Sequence, residues 1–407
     1  MVGRGAAASP VNVLIYAIDF APRIGGEETY LLLLGEGLAR RLARAEATSG
    51  VTLVTRTPAG AFDDAALSFR VVRRPTLRAL WRLFGEADVV QVSGPVLLAL
   101  LLGLGRRKPV VILHHVYHSA CPNGLLFYHP RQAPCPGYFQ ARRYDNCLRC
   151  CSYVGGRLRS LLMVLATMLR RWLCTRVAAN AVVTNYVSRR LALPRSTTIY
   201  YGVRDPLARG RETAAASPPA AVRPSAAVCF AYVGRLVPEK GVALLLEAAK
   251  RLTEEGYAFR LKLIGDGPER RPLEALARAF DLDRRVAFTG FLRDESLEVQ
   301  LADVDVVVMP SRWPETAGIA AIEQMMRGRL IVAADIGGLG EVAGAAGLKF
   351  DAGDLVGLTA RLRQVLDDSS CVTRIGAEAR QRALRLFRED RMVEEHYRIY
   401  RQLTGDR

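Results

Sequence analysis

Apolar residues along this chain gather into short, nearly unbroken runs, separated by stretches with helical periodicity. Residues 11–18 are almost continuously apolar, the pattern of a strand buried on both faces of a parallel sheet. A glycine-containing loop and a helical stretch over 28–42 follow. Further strand candidates are 51–55, 89–92, 110–113, 181–184 and 197–200. Residues 206–226 break the rhythm with four prolines and many alanines and serines, which is a linker composition. A second series opens with a strand at 228–233 and a helix at 243–252. It continues with strands at 259–264, 286–288, 304–309 and 330–333. Two alternating βα series predict an α/β chain of two Rossmann-like doubly wound domains facing each other across a cleft: 1–205, a linker at 206–226, 227–386, and a closing helix at 387–407. In such sheets ligands bind beyond the carboxyl ends of strands, where loops lead into helices.

The length of 407 residues agrees with two domains, and a chain half hydrophobic and one quarter charged buries cores rather than staying disordered. The net charge of +17 changes the picture more. Residues 142–204 hold twelve arginines and one acidic residue, Asp145, a field that attracts anionic lipid headgroups or a phosphorylated substrate. No zinc finger, RNP motif or basic recognition helix is present, so nucleic acid is not the expected partner. The stretch 158–173 (LRSLLMVLATMLRRWL) is apolar with basic ends. It reads either as a helix lying in a membrane interface or as a core helix. Residues 1–10 lack the apolar core of a secretory signal, and no run reaches the length of a membrane span. The expected compartment is the cytoplasm, including the inner membrane face, where disulfides are not expected.

The chemistry-bearing residues sit just after strands. Gly234-Arg235-Leu236 and Pro238-Glu239-Lys240-Gly241 place two cations in one strand-to-helix loop, a pair suited to a diphosphate. Gly265-Asp266-Gly267-Pro268 is a tight turn after the next strand. The segment from Pro310 runs through Glu315, Thr316, Ala317, Gly318 and Ile319 to Glu323. Residues 316–319 are expected to form a helix N-terminus that favours a phosphate, with Glu323 further along to reach ribose hydroxyls.

On these motifs, with the FTGF of Phe288-Thr289-Gly290-Phe291, Gly337-Gly338 and Glu341, the chain resembles the GT-B glycosyltransferases of glycosyltransferase family 4. The resemblance implies a retaining transferase that needs no metal in its site and no cofactor, and takes a nucleotide-diphosphate sugar as donor. Its acceptor would be a glycan or a lipid-linked molecule, in polysaccharide or cell-envelope glycan synthesis. Arg235 and Lys240 would hold the diphosphate, Glu323 the ribose, and Glu315 with the 316–319 backbone the sugar and distal phosphate. The family usually has Phe where Ala317 stands, so the wall near the sugar is expected to be smaller. In the first domain Gly25, Gly26 and Glu28 match a Gly-Gly-x-Glu turn near the donor phosphate. The family register of a strand-end His six residues before Cys-Pro-Asn-Gly selects His115, with His114 its neighbour.

Five of eight cysteines crowd into 121–151, with Cys147 and Cys150 at metal-ligand spacing. A structural zinc on Cys121, Cys135, Cys147 and Cys150, free thiols, or a disulfide all remain open. Two rival readings of the whole chain are a non-catalytic basic Cys-rich module for anionic polymer or membrane, and a retaining phosphorylase on the same fold.

Overall fold

The computed structural model describes residues 11–23, 25–45, 50–60, 62–152, 155–208 and 227–405. Most of the 206–226 linker, Ile24 of the glycine turn and the terminal segment 1–10 lie outside the described residues. The strands in chain order are β1 (Asn12–Ala17), β2 (Gly50–Thr55), β3 (Arg70–Arg73), β4 (Val89–Ser93), β5 (Val110–His114), β6 (Phe127–Tyr128), β7 (Ala133–Pro134), β8 (Ala179–Val182) and β9 (Ser196–Thr198). They continue with β10 (Val228–Val233), β11 (Phe259–Ile264), β12 (Val286–Gly290), β13 (Val306–Met309), β14 (Leu330–Ala334) and β15 (Leu348–Phe350).

The chain divides into two compact units. The first comprises residues up to 126, 136–202 and 388–407; the second comprises 127–135 and 203–387. The first holds a seven-stranded sheet in the order β3-β2-β1-β4-β5-β8-β9, parallel throughout. Leu14, Ile15 and Tyr16 on β1 are all buried, because helices cover both faces. Helix Gly26–Ala45 starts on a glycine turn with Glu27 and Glu28 in its first turn, where the helix dipole favours acids. The last helix, Glu389–Thr404, packs on it. His396 is bonded to Tyr30 and lies 3.3 Å from the Tyr400 hydroxyl, Tyr400 donates to Gln91, and Arg41 Nε meets Glu394 at 3.0 Å.

The second unit holds a six-stranded parallel sheet, β12-β11-β10-β13-β14-β15. Helix Val242–Glu254 buries Val242, Leu245, Leu246, Ala249 and Leu252, the i, i+3, i+4, i+7 face that its sequence supplies. Against the same unit lies the β6–β7 hairpin, whose Gln132 carbonyl accepts a bond of 3.0 Å from Arg312. In both sheets the first strand of the series lies next to the fourth, where the direction of winding reverses (β1/β4 and β10/β13). That switch point is the ligand position of open α/β sheets.

Candidate active site

Three loops converge at the carboxyl ends of β10, β13 and β14. The loop after β10 turns at Gly234, runs through Arg235, and closes in a single helical turn, Pro238–Lys240, before Gly241 at φ +68° starts the next helix. The loop after β11 is pressed against it backbone to backbone. Leu236 N donates to Asp266 O at 2.9 Å, and a Cβ on Gly265 (φ +146°) would lie 1.8 Å from Gly234 O. Only glycine fits there.

The β13 loop carries Glu315, which is buried. Its carboxylate meets Lys240 Nζ at 2.9 Å and accepts a hydrogen bond from Ser311. Its carbonyl accepts from Gly338 N at 2.6 Å. The turn Gly337-Gly338 sits so close that a Cβ on Gly337 (φ +64°) would reach 2.5 Å from Glu315 O. Lys240 is thus already engaged, whereas Arg235 is exposed, with no salt bridge or side-chain bond among the described residues.

Helix Ile319–Met326 begins at the last of the four positions, 316–319, where the sequence suggested its N-terminus. Gly318 at φ +84° is its N-cap, no side chain caps it, and Thr316 and Ala317 belong to the preceding turn. The amides of its first turn therefore lack a side-chain acceptor. Ala317 is fully buried. Its methyl packs into the protein. Glu323 lies on the second turn. Burial pushes its carboxyl above the ordinary value; nearby Arg327 works the other way, and Glu298 raises it further. The Arg327 guanidinium is itself bonded to Glu298.

In the first unit, Gly25 precedes helix Gly26–Ala45, and a Cβ on it would lie 2.5 Å from Glu28 Oε2. The residue that reaches the strand ends is Glu27. Its Oε2 lies 2.8 Å from His115 Nε2, and its Oε1 accepts from Ser93 Oγ at 2.7 Å. Ser93 Oγ is also 3.5 Å from His115 Nδ1. Burial works against the Glu27 charge, but His115 and the bonds from His115 and Ser93 outweigh it and hold this carboxyl below the usual range. Burial raises Glu28. His114 points the other way: it is fully buried, 2.9 Å from Asn180 Oδ1, and burial lowers its pKa to about 4. His114 is therefore a neutral core residue bracing β5 against β8, and His115 is the one at the strand ends.

Residues 218–382 match the family model described as "Glycosyl transferases group 1". They form a group 1 glycosyl transferase domain. This group 1 domain contains Arg235, Lys240, Glu315 and Glu323 together. Among curated proteins, the 2-deoxystreptamine glucosyltransferase of Streptomyces kanamyceticus is 34% identical over 143 residues, 35% of this chain and 37% of that protein. Glycogen synthase of Mycobacterium tuberculosis is 37% identical over 153 residues, 37% of each. The chain thus spans little more than a third of these relatives. Among solved structures, sucrose-phosphate synthase from Thermosynechococcus elongatus superposes with a TM-score of 0.69 at 21% identity, covering 97% of this chain and 99% of that one. The Anabaena protein HepE, solved in complex with UDP and glucose, gives 0.67 at 19% identity, covering 95% and 98%. The whole chain has the GT-B fold.

Outside the group 1 domain, the cysteines do not gather as ligands. Among the described residues no group of three or more His, Cys, Asp or Glu side chains is arranged to hold a metal ion. Asn123 lies between two of the proposed ligands instead, accepting from Cys121 Sγ at 2.9 Å and donating to Cys150 Sγ at 3.3 Å. The eight cysteines are thiols rather than disulfides. Glu27 and Ser93 were missed by sequence reasoning. Glu27 stands beside Glu28, which fits the family turn, and only the start of the helix decides which of the two faces β4 and β5.

Proposed function

We propose that this chain is a glycosyltransferase that moves a sugar from a nucleotide-diphosphate sugar to a hydroxyl of a glycan or lipid-linked acceptor. It keeps the configuration of the sugar carbon and uses no metal at the donor, in polysaccharide or cell-envelope glycan assembly in the cytoplasm. The observation that carries this reading is Glu323. It is a recessed carboxylate whose pKa burial raises, on the second turn of a helix whose N-terminus has no side-chain cap. An uncapped helix start takes a phosphate, and an acid one turn further in accepts from paired ribose hydroxyls. A recessed carboxylate costs stability, which a bound nucleoside offsets through its hydrogen bonds.

The remaining groups take complementary roles. The bond from the sugar carbon to the diphosphate breaks with its electron pair on the phosphate oxygen. Arg235 and Lys240 meet that charge with the first-turn amides, a preorganised electrostatic frame. The acceptor oxygen bonds to the sugar carbon from the same face, and its proton passes to the departing diphosphate. Glu315, held by Lys240 and Ser311, braces the loop and hydrogen-bonds the sugar. His115, oriented by Glu27, hydrogen-bonds the sugar or acceptor hydroxyl. The UDP and glucose of the HepE complex support uridine as the first base to try.

The test is thermal unfolding with UDP, GDP and ADP. At about 100 times its Kd, the correct nucleotide stabilises by about 2.7 kcal/mol, and Glu323→Ala removes the effect. No response to any of the three overturns the reading. Slow hydrolysis across a panel of nucleotide sugars then identifies the donor.

A further inference from the structure

Helix Arg157–Cys174 buries one face and leaves an apolar face outside. Ser160, Val164, Thr167, Leu173 and Cys174 point into the first unit, with Val164 packed beside Phe139 and Cys147. On the opposite side, Leu158, Leu161, Leu162, Leu165, Leu169 and Trp172 are each between 41% and 72% exposed. At about 100° per residue these six positions fall within a single stripe about 100° wide, opposite the buried face. Scattered exposed apolar residues are ordinary, but five leucines and a tryptophan in one stripe on one helix mark a contact surface.

The charge around the stripe says what covers it. The helix contains no acidic residue. Arg157 and Arg159 are exposed at its start, and past its end the exposed Arg176 stacks its guanidinium 4.5 Å from the Trp172 ring. Arg142, Arg143 and Arg149, on or just before the neighbouring helix Tyr144–Ser152, are exposed as well. A second copy of this chain laid on the stripe would bring arginines against arginines, which is repulsive. No helix among the described residues is long and apolar enough to cross a membrane. An apolar stripe with a cationic border and an aromatic residue at one end fits the boundary between headgroups and acyl chains.

We propose that helix Arg157–Cys174 is a docking surface for an anionic lipid bilayer. The leucines and Trp172 enter the acyl boundary, and the bordering arginines meet headgroup phosphates. This inference does not rest on sugar transfer: it fails or stands on lipid binding alone, whatever the nucleotide experiments return.

The experiment is co-sedimentation of the full chain with vesicles of phosphatidylcholine containing roughly one third phosphatidylglycerol, against phosphatidylcholine alone, at low and moderate salt. The expected result is binding to the anionic vesicles, weakened by salt, with a blue shift in tryptophan emission that Trp172→Phe removes. The triple change Leu161→Asn, Leu165→Asn and Leu169→Asn alters only exposed positions. It should lower vesicle partitioning by about tenfold or more, with the unfolding midpoint retained as proof of folding. Arg157→Gln with Arg159→Gln should remove much of the preference for anionic lipid. The proposal is overturned if the native chain stays in the supernatant, or if the triple variant binds vesicles as well as the native chain. A concentration-dependent dimer that dissociates on the triple change, without vesicle binding, overturns it too and makes a second copy the occupant.

Discussion

Lys240 and Glu315 form a largely buried pair, with side chains 14% and 5% exposed. Removing one partner of such a pair leaves the other charge stranded at a cost of about 3 kcal/mol. Lys240→Ala is therefore expected to lower stability as well as to reduce turnover by roughly a hundredfold to a thousandfold. The two effects separate. Adding Glu315→Gln removes the stranded charge, so chemical denaturation should show most of the lost stability returning while turnover stays low. Glu323 behaves in the opposite sense. Its carboxyl titrates above the ordinary 4.5 in the folded state, so the folded chain binds more protons than the unfolded one between 4.5 and that raised value. The contribution of this one group to stability is then fully present below 4.5 and is lost as pH rises through the folded value. Glu323→Gln should raise the unfolding midpoint at neutral pH and weaken nucleotide binding. A lowered midpoint would contradict this assignment.

At the level of elements, the loops after β10 and β11 meet with no room for a side chain at Gly265. Gly265→Ala must push Gly234 and Arg235 out of position, and thermal shift should show the nucleotide response reduced more than the unfolding midpoint. The final helix is held from inside by Tyr400. Its hydroxyl donates to Gln91, whose Nε2 is buried without a partner among the described residues. Tyr400→Phe strands the Gln91 acceptor as well and should cost about 1–3 kcal/mol in a denaturation curve. The central strands were legible because burial on both faces writes a continuous apolar run: Val228–Val233 and Phe259–Ile264 have the boundaries the pattern predicts. Arg70–Arg73 and Leu348–Phe350 were not read from the pattern, because as short edge strands they carry charged or half-exposed positions. The residues of the group 1 domain were legible for a similar reason. Strand, glycine turn and helix follow one another in the sequence, so Arg235, Lys240, Glu315 and Glu323 carry their positions with them. Glu27 comes from the first turn of a helix, and Ser93 and His115 from the ends of two strands. No local spacing joins them, and only the sheet order does.

For the whole molecule, acid should act unevenly. Three of the five histidines are held neutral by burial, His114 and His118 down to about 4 and His396 to about 3, and all three lie in the first unit. Their folded values lie below the unfolded 6.5, so the unfolded state takes up protons first. Stability is lost as pH falls from about 6.5 towards 4. Calorimetry at pH 7 and pH 5 should show the first unit losing more of its midpoint than the second, with nucleotide at pH 5 raising only the transition of the second.

The division of the chain also sets a timetable for its making. Residues 127–135 and 203–387 complete the second unit, whereas the first needs 388–407, including the His396 and Tyr400 that bond Tyr30 and Gln91. A ribosome delivers those residues after both stretches of the second unit. The unit whose synthesis begins first therefore closes after the second, and until His396 and Tyr400 are made Tyr30 and Gln91 await their partners. A nascent chain stalled after residue 387 should already respond to nucleotide while its amino-terminal half remains open to protease.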